Sequence, residues 1–276
     1  LDLGRVNVRH GAAMGYNPTD WFKEGALRAV VSPDQAVLRE NRQGTFVLQA
    51  QQVWGAGSLT AALSPRLASK PDDDSFALDE GSTNPRNRWL IAGSTKLSDR
   101  VTPQLMLHGG SDTPTQLGLN LSALLGDAWV GFAEGSFGDG RSLAAQALGL
   151  AEPERRQRRT AIGLTHTTPF NLTLTAEAEY NSAAPNRATW QALQGVERLM
   201  LLGLADRLQD LPARRAWFLH ATWKNALVQQ LDVSAFVRRE SETRSRAQWL
   251  ELRYRWARAD VALQWAGEAD KEIKRL

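Results

Sequence analysis

The sequence contains no cysteine, so disulfides and thiolate chemistry play no part in it, as in many exported chains that lack structural disulfides. It has no run of eighteen or more apolar residues, and its mean hydropathy is -0.38; together these exclude helical membrane spans. The exclusion does not reach strands. Lipid-facing and lumen-facing residues alternate along a transmembrane strand, so its average hydropathy stays low. The four histidines, His10, His108, His166 and His220, show no H-E-x-x-H or other ligand spacing, and neither a metal nor a cofactor is expected. Zinc-finger spacings, an RNP motif and a basic helix are also missing, which argues against nucleic acid as a partner. There is no G-x-S-x-G elbow, P-loop or dinucleotide fingerprint. Lysine is scarce, and the basic residues behind a net charge of +3 are overwhelmingly Arg. The Arg fork suits carboxylate, phosphate or sulfate, so anionic ligands enter consideration.

Tryptophan is plentiful: ten occur in the chain, and its apolar ring with a polar N–H suits a membrane interface. The dominant pattern is period-two alternation. Trp217, Leu219, Ala221 and Trp223 share one face, opposite Phe218, His220 and Thr222. Six residue steps of about 3.3 Å separate the two Trp by roughly 20 Å, close to the ~25 Å apolar band of a barrel. Trp217 and Trp223 therefore mark two membrane girdles, and Trp256 joins them at the end of a strand with Leu250, Leu252 and Tyr254 outward. In that strand Glu251, Arg253 and Arg255 point inward, and three charges on one face require water there. Leu172, Leu174, Ala176, Ala178 and Tyr180 oppose Thr173, Thr175, Glu177 and Glu179 in the same way.

Read throughout, the pattern predicts thirteen strands: 3–9, 45–53, 58–64, 89–96, 101–108, 116–123, 128–135, 159–167, 171–180, 214–223, 230–238, 248–257 and 260–266. The connections alternate long and short, with 10–44, 65–88, 136–158 and 181–213 long, 109–115 and 239–247 intermediate, and the rest short. Long extracellular loops and short periplasmic turns are what an up-and-down outer-membrane barrel requires. A single all-β domain over 1–276 is expected: a transmembrane antiparallel barrel of about 14 strands in the outer membrane of a Gram-negative bacterium. Leu1 to Arg9 lacks the apolar core of an export signal, and the tail from Gly267 is not the closing strand. The chain is therefore expected to be a truncated part of a longer barrel. In the loops, residues 188–209 read as one amphipathic helix with Trp190, Leu193, Val196, Met200, Leu204 and Leu208 on its apolar face. It either caps the mouth or folds into the lumen. A shorter helix is expected at 142–150, ended by Glu152-Pro153.

Gly4-Arg5-Val6-Asn7-Val8-Arg9-His10-Gly11, followed by Gly15-Tyr16-Asn17-Pro18-Thr19-Asp20-Trp21-Phe22, resembles segments of large proteobacterial barrels of the alginate-export and related porin-like groups. There a G-R-x-x-x-R-x-G strand leads into an N-P-T-D loop. Leu38-Arg39-Glu40-Asn41-Arg42 through Gly57-Ser58-Leu59-Thr60 is similar in style. The resemblance implies an outer-membrane location and a conduit role. Physically, Asn17-Pro18 starts a turn, and Thr19 or Asp20 can cap a short helix beginning at Trp21. The Asn17, Pro18, Thr19, Asp20 loop either braces the mouth or forms a constriction that contacts solute.

Arg5, Arg9, Arg238, Arg253 and Arg255 fall on predicted lumen faces, where a ladder of Arg attracts anions. Glu177 and Glu179, about 7 Å apart on one strand face, and Asp232 and Glu251 offer the opposing reading of salt bridges that brace the wall. A further run, Arg155, Arg156, Arg158 and Arg159, sits where loop meets strand. It is either a solvated charge run or a contact to phosphates of surface lipid. The expected function is passive passage or export of a small anionic solute or anionic polysaccharide through an Arg-lined lumen, with no catalytic residues. Membrane lipid and lipopolysaccharide are the expected surroundings, and a protein partner or homo-oligomer remains open. The alternatives are a non-conducting structural or assembly barrel and, from His108-Gly109-Gly110-Ser111-Asp112, a lipid-modifying barrel enzyme. For that stretch a Gly-rich turn at a strand end is the plainer account.

Overall fold

A computed structural model describes residues 1–27, 32–72, 74, 78–111 and 113–269. Its strands are β1 (Asp2–Val6), β2 (Thr45–Trp54), β3 (Gly57–Ser64), β4 (Arg88–Thr95), β5 (Val101–Gly110), β6 (Thr113–Leu124) and β7 (Trp129–Gly140). They continue as β8 (Arg155–Thr167), β9 (Leu172–Asn181), β10 (Arg215–Trp223), β11 (Leu231–Glu240), β12 (Arg246–Arg255) and β13 (Asp260–Ala269). Each overlaps one of the predicted segments. All belong to one sheet in chain order, β1 to β13, and each is antiparallel to the next, as in β7 with β8 and β12 with β13. This is an up-and-down architecture, in which the next strand along the chain is the next partner in space.

The two faces of the sheet separate by polarity. Leu105, Ile162 and Leu219 are 59%, 60% and 57% exposed, a degree of exposure that suits lipid and not water. Cross-strand pairing carries the stripe around the wall, for instance Leu105 with Leu119 and Ala221 with Ala235 and then Leu250. The opposite face carries Asn120, Glu134, Thr175, Glu177, Glu179 and Glu251, all buried. Polar groups at such depth survive only with partners. Near the short turns these partners are one another: Ser58 with Ser94 at 2.8 Å, Gln51 donating to Thr60 at 3.1 Å, and Thr165 with Thr175 at 3.0 Å.

Connections at one end are 7–44, 65–87, 111–112, 141–154, 182–214 and 241–245; at the other they are 55–56, 96–100, 125–128, 168–171, 224–230 and 256–259. The connections 7–44, 65–87, 141–154 and 182–214 are long as expected, whereas 241–245 is shorter than 224–230 at the other end. The connection expected over 109–115 is shorter, because β5 runs on to Gly110 and β6 begins at Thr113, with a shift of register between His108 and Gly110. A bulge of this kind absorbs an extra residue while keeping the strands paired.

The helices sit on the long connections: α1 (Gln35–Glu40), α2 (Glu80–Thr83), α3 (Leu143–Leu148), α4 (Arg187–Ala192) and α5 (Gly195–Leu208). The helix expected to start at Trp21 does not form. Residues 18–27 are short turns and irregular chain, since Thr19 and Asp20 spend their side chains on other partners. Instead Asp34 caps α1, accepting from Ala36 N at 2.9 Å. The expected 188–209 helix is two helices. Leu193 is extended, and Gln194 with Glu197 forms a capping box that restarts the chain as α5. That break changes the buried face: Val196 and Met200 are exposed, while Leu201 and Ala205 are buried. Leu204 and Leu208 pack with Leu143 of α3. α3 matches the predicted short helix, capped by Ser142 and ended by Gly149 in the left-handed region.

Candidate functional site

Residues 8–22 of the connection between β1 and β2 fold in against the inner face of the sheet. Val8 and Phe22, joined by Trp21, pack against Val47, Leu90 and Met106 on one wall. Ala13 and Tyr16 meet Phe132, Ala161 and Ala216 on another. Met14 lies against Phe218, Phe236 and Trp249 on a third. A wet channel does not need aromatic residues on its inner face; here they receive the apolar side chains of the inserted segment. His108 lies between two of those rings, 4.9 Å from Trp21 in a stack and 5.9 Å from Phe22 edge-on.

Apolar contact would let the segment slide, and hydrogen bonds from the wall set its register. The backbone N–H of Ala13 donates to Glu134 Oε1 at 2.5 Å. Those of Met14 and Gly15 donate to the two oxygens of Glu177, at 2.6 and 2.9 Å. Arg238 Nη2 completes the clasp, donating to the Gly15 carbonyl at 2.7 Å and to Glu179 Oε2 at 2.7 Å. Carboxylates accepting backbone amides form short, charge-assisted bonds. Two glycines make the close approach feasible. A Cβ on Gly15 would lie 2.5 Å from Glu179 Oε1, and one on Gly11 would lie 2.3 Å from both Glu134 oxygens. Gly11 also has φ +81°, a conformation that costs other residues about 1–2 kcal/mol. Gly11→Ala is therefore expected to unseat the segment. Limited proteolysis of folded protein should then cut within 7–44 where the parent resists, and an unchanged digestion pattern would contradict the close packing described.

The Asn17, Pro18, Thr19 and Asp20 loop lies inside this assembly, with Asn17, Thr19 and Asp20 buried. The Thr19 hydroxyl lies 2.8 Å from the Asn120 side-chain amide. Asp20 pairs with Arg42, whose other nitrogen reaches Gln209 Oε1 at 2.8 Å. Arg39 donates to the carbonyls of His10, Gly11 and Ala13 at 2.7 to 2.9 Å. The loop after α5 closes from above: Gln209 Nε2 donates to the Lys23 carbonyl at 2.5 Å, and Gly25 N to the Arg207 carbonyl at 3.4 Å. Asp210 is its centre. It accepts from Tyr16 Oη at 2.6 Å, from Arg159 Nε at 3.1 Å and from Asn181 Nδ2 at 3.1 Å. The α5 region therefore folds down onto the inserted segment.

Two hollows flank this septum, and Asp210 lines both. One, of about 240 Å³, is lined by Lys23, Arg86, Arg141 and Arg159 with Asp20, Glu24 and Glu154. The other, of about 370 Å³, has Tyr16, Asp206, Arg238 and Glu240 in its wall. In the first hollow Arg159 is paired with Asp210 and Arg86 with Glu24. Among the described residues Lys23 Nζ donates to the Asn17 carbonyl, at 2.8 Å, and lies 5.0 Å from the centre of the Tyr16 ring. Burial lowers the Lys23 ammonium to about 8; Asp210 and Asp20 oppose that shift, and Arg42 and Arg159 add to it.

The other sequence-predicted residues have definite places. Arg238 is paired with Glu179, Arg253 with Glu251 and Asp260, and Arg255 with Asp232. The lumen arginines are thus held by carboxylates, as in the wall-bracing reading. Arg5 is a correction. It pairs across the ladder with Phe46, next to the exposed pair Leu3 and Leu48, and so stands on the outer face. Its guanidinium lies 4.6 Å from the centre of the Phe46 ring and bonds the Leu78 carbonyl. The alternation itself holds: Gly4 pairs with the inward Val47, and Val6 and Val8 pack in the same cluster as Val47, so Arg5, between Gly4 and Val6, faces out. Arg9 lies beyond β1 and is exposed, lining a hollow with Gly11 and Arg39. Trp217, on the outer face, is near the long connections; Trp223 and Trp256 are near the short turns. Trp223 Nε1 donates to the Phe170 carbonyl at 3.1 Å, and Trp256 packs 4.6 Å from Tyr254.

Among the described residues neither ring nitrogen of His108 has a hydrogen-bond partner. The Ser111 hydroxyl bonds Asn87 at 3.4 Å, and Asp112 lies outside the described residues. No cluster of three or more His, Asp or Glu suited to a metal occurs among the described residues. The residues that sequence reasoning missed are Glu134, Lys23, Tyr16 and Asp210. Glu134 carried a signal, a lone carboxylate on the inward face of β7. The other three lie in loops, where no periodicity speaks.

An up-and-down antiparallel sheet of thirteen strands, with an apolar outer face, a polar inner face and a loop laid against the inside, is the architecture of porin barrels. Solved structures share the fold. Pseudomonas aeruginosa OccK5 (OpdH) has a TM-score of 0.53 at 12% identity, over 83% of this chain and 67% of that one. OccK10 (OpdN) of the same organism has 0.53 at 13%, over 83% and 69%. OpdQ has 0.52 at 9%, over 84% and 68%. Neither a described protein family nor a curated protein matches the sequence.

Proposed function

We propose that this chain is an outer-membrane channel for passive passage of a small solute, with anions preferred. The observation that carries the reading is the inserted segment 7–44, clasped by Glu134, Glu177 and Arg238, which divides the lumen into two polar hollows. The exposed apolar stripe supports the membrane location, and the fold shared with porin barrels agrees with it. Support for anions comes from the first hollow. Its charged groups outside any salt bridge, among the described residues, are Lys23 and Arg141 against Glu154. The whole lining has five carboxylates to four cations, but most are held in pairs, and an unpaired cation such as Lys23 in a narrow, partly desolvated passage lowers the energy of anion entry. A hollow of about 240 Å³ suits a small solute. A polysaccharide, the cargo implied by the alginate-export resemblance, requires the segment to leave the lumen.

The test is reversal potential in planar bilayers under a salt gradient. Preference for anions is expected at pH 7 and should fall as pH rises through about 8, because Lys23 loses its proton there. Lys23→Met should show the weaker preference at every pH. Selectivity that is flat with pH and unaltered by the substitution would remove Lys23 from the solute path. The second reading, a structural barrel with a closed lumen, is favoured by the apolar packing around Trp21, Tyr16 and Phe218. Silent bilayers with correctly folded protein would select it.

A further inference from the structure

The outer face carries a cluster of arginines that the lumen does not use. At the long-connection end, Trp217, Arg239 and Arg246 stand in one row across β10, β11 and β12, all on the lipid side. The rows below are Leu219, Val237 and Gln248, then Ala221, Ala235 and Leu250. Arg187 of α4 and Arg244 of the 241–245 connection overhang the same place. Together with Trp217, Leu219, Val237 and Ser241 these four arginines line a hollow of about 1130 Å³, whose wall also holds Glu240, a buried carboxylate that accepts from the Thr243 hydroxyl. Arg239, Arg244 and Arg246 are exposed. Among the described residues, none of the four is in a salt bridge.

Like charges directly opposite on adjacent strands destabilise a sheet. Arg239 and Arg246 are such a pair, about 5 Å apart at the backbone, beside a surface that faces hydrocarbon. The nearby arginines show the contrast. Arg215 is paired with Glu242, and Arg214 donates to the Ala184 carbonyl. At the short-turn end the same strands present Trp223, Val233 and Leu252, without charge. The cluster therefore marks a single membrane boundary, the one next to the long connections. It offers several guanidinium forks above an apolar strip.

We propose that this hollow binds a phosphorylated glycolipid of the outer leaflet, of the lipid A type: phosphate on the four arginines, saccharide against Trp217, and acyl chains along Leu219, Val237 and Leu250. Guanidinium forks match phosphate oxygens in bidentate fashion, and a ligand with phosphate and acyl chains on one scaffold meets both halves of the site. The inference rests on the outer-membrane reading given above.

The test uses the full chain refolded in detergent and native mass spectrometry with added diphosphoryl lipid A, dephosphorylated lipid A or phosphatidylglycerol. Diphosphoryl lipid A should be retained best. The pair Arg239→Gln and Arg246→Gln should weaken its retention roughly tenfold or more, as loss of two charge-assisted contacts implies. Arg187→Gln with Arg244→Gln, both outside the strands, provides a second variant whose barrel is undisturbed, and its retention should also fall. Equal retention by parent and both variants, or equal retention of the dephosphorylated glycolipid or of phosphatidylglycerol, would overturn the proposal. Conductance of the same samples is read separately: a silent barrel that still selects diphosphoryl lipid A refutes the channel and leaves this site standing.

Discussion

Glu134→Ala combined with Glu177→Ala is expected to raise single-channel conductance several-fold. The two carboxylates hold three consecutive backbone amides, those of Ala13, Met14 and Gly15. A hydrogen bond to a charged group contributes about 1.5–3 kcal/mol, and the cost of burying each carboxylate offsets part of that. A remainder of roughly 3 kcal/mol moves the balance between seated and released segment by about two decades. Alanine leaves the strands intact, because both residues sit within ladders whose backbone pairing does not involve their side chains. The double variant should therefore fold, insert and conduct more, with larger neutral solutes admitted in liposome swelling. Parental conductance and the parental size limit would show that these bonds do not seat the segment.

Asp210→Asn should be the most damaging single change in the loops. Asp210 is the acceptor for Tyr16, Arg159 and Asn181 together, and for its own neighbour Leu211 N at 3.0 Å. Neutralising it leaves the partly buried Arg159 guanidinium without its counter-charge, a loss of about 3 kcal/mol, the low end for a broken buried pair. The pH dependence has a defined sign. Burial alone would raise the Asp210 carboxyl, but Arg159, Lys23 and the Tyr16 hydroxyl outweigh it and hold the group below the usual aspartate range. A depressed folded value contributes stability that is complete above the unfolded value, about 3.9, and is lost as pH falls below it toward the folded value. Hydrogen exchange of the 182–214 and 7–44 connections should show this acid step in the parent and lose it in Asp210→Asn. An identical acid profile in the variant would assign the step to another carboxylate.

The strands were legible because their signal is local and repeated. Each of Trp217, Leu219, Glu177 and Leu250 stands on the face that alternation assigns to it, and the long-and-short spacing of connections set the order of strands. Arg5 failed because polarity was taken to mark the inner face, whereas Val6 and Val8 turn inward to pack with Val47 and leave Arg5 on the outside. Val196 and Met200 failed because a capping box at Gln194 restarted the helix with another face inward. The site was legible only in part. Glu177, Glu179 and Arg238 were recognisable as inward charges, but their partner could not be read. It is a loop segment more than one hundred and sixty residues away in the chain, and such a contact leaves no period in the sequence.

From the amino acids alone came the architecture: antiparallel strands in chain order, a greasy exterior, a polar interior and long connections at one end. These follow from the two-residue repeat of an extended chain and from the cost of leaving polar groups in lipid, both of which act residue by residue. Tertiary structure decided what occupies the interior. Whether an inward Glu meets water, an Arg or the backbone of Met14 depends on where a distant loop comes to rest, and contacts such as Tyr16 with Asp210 and Gln209 with Lys23 fix that place without leaving any local pattern.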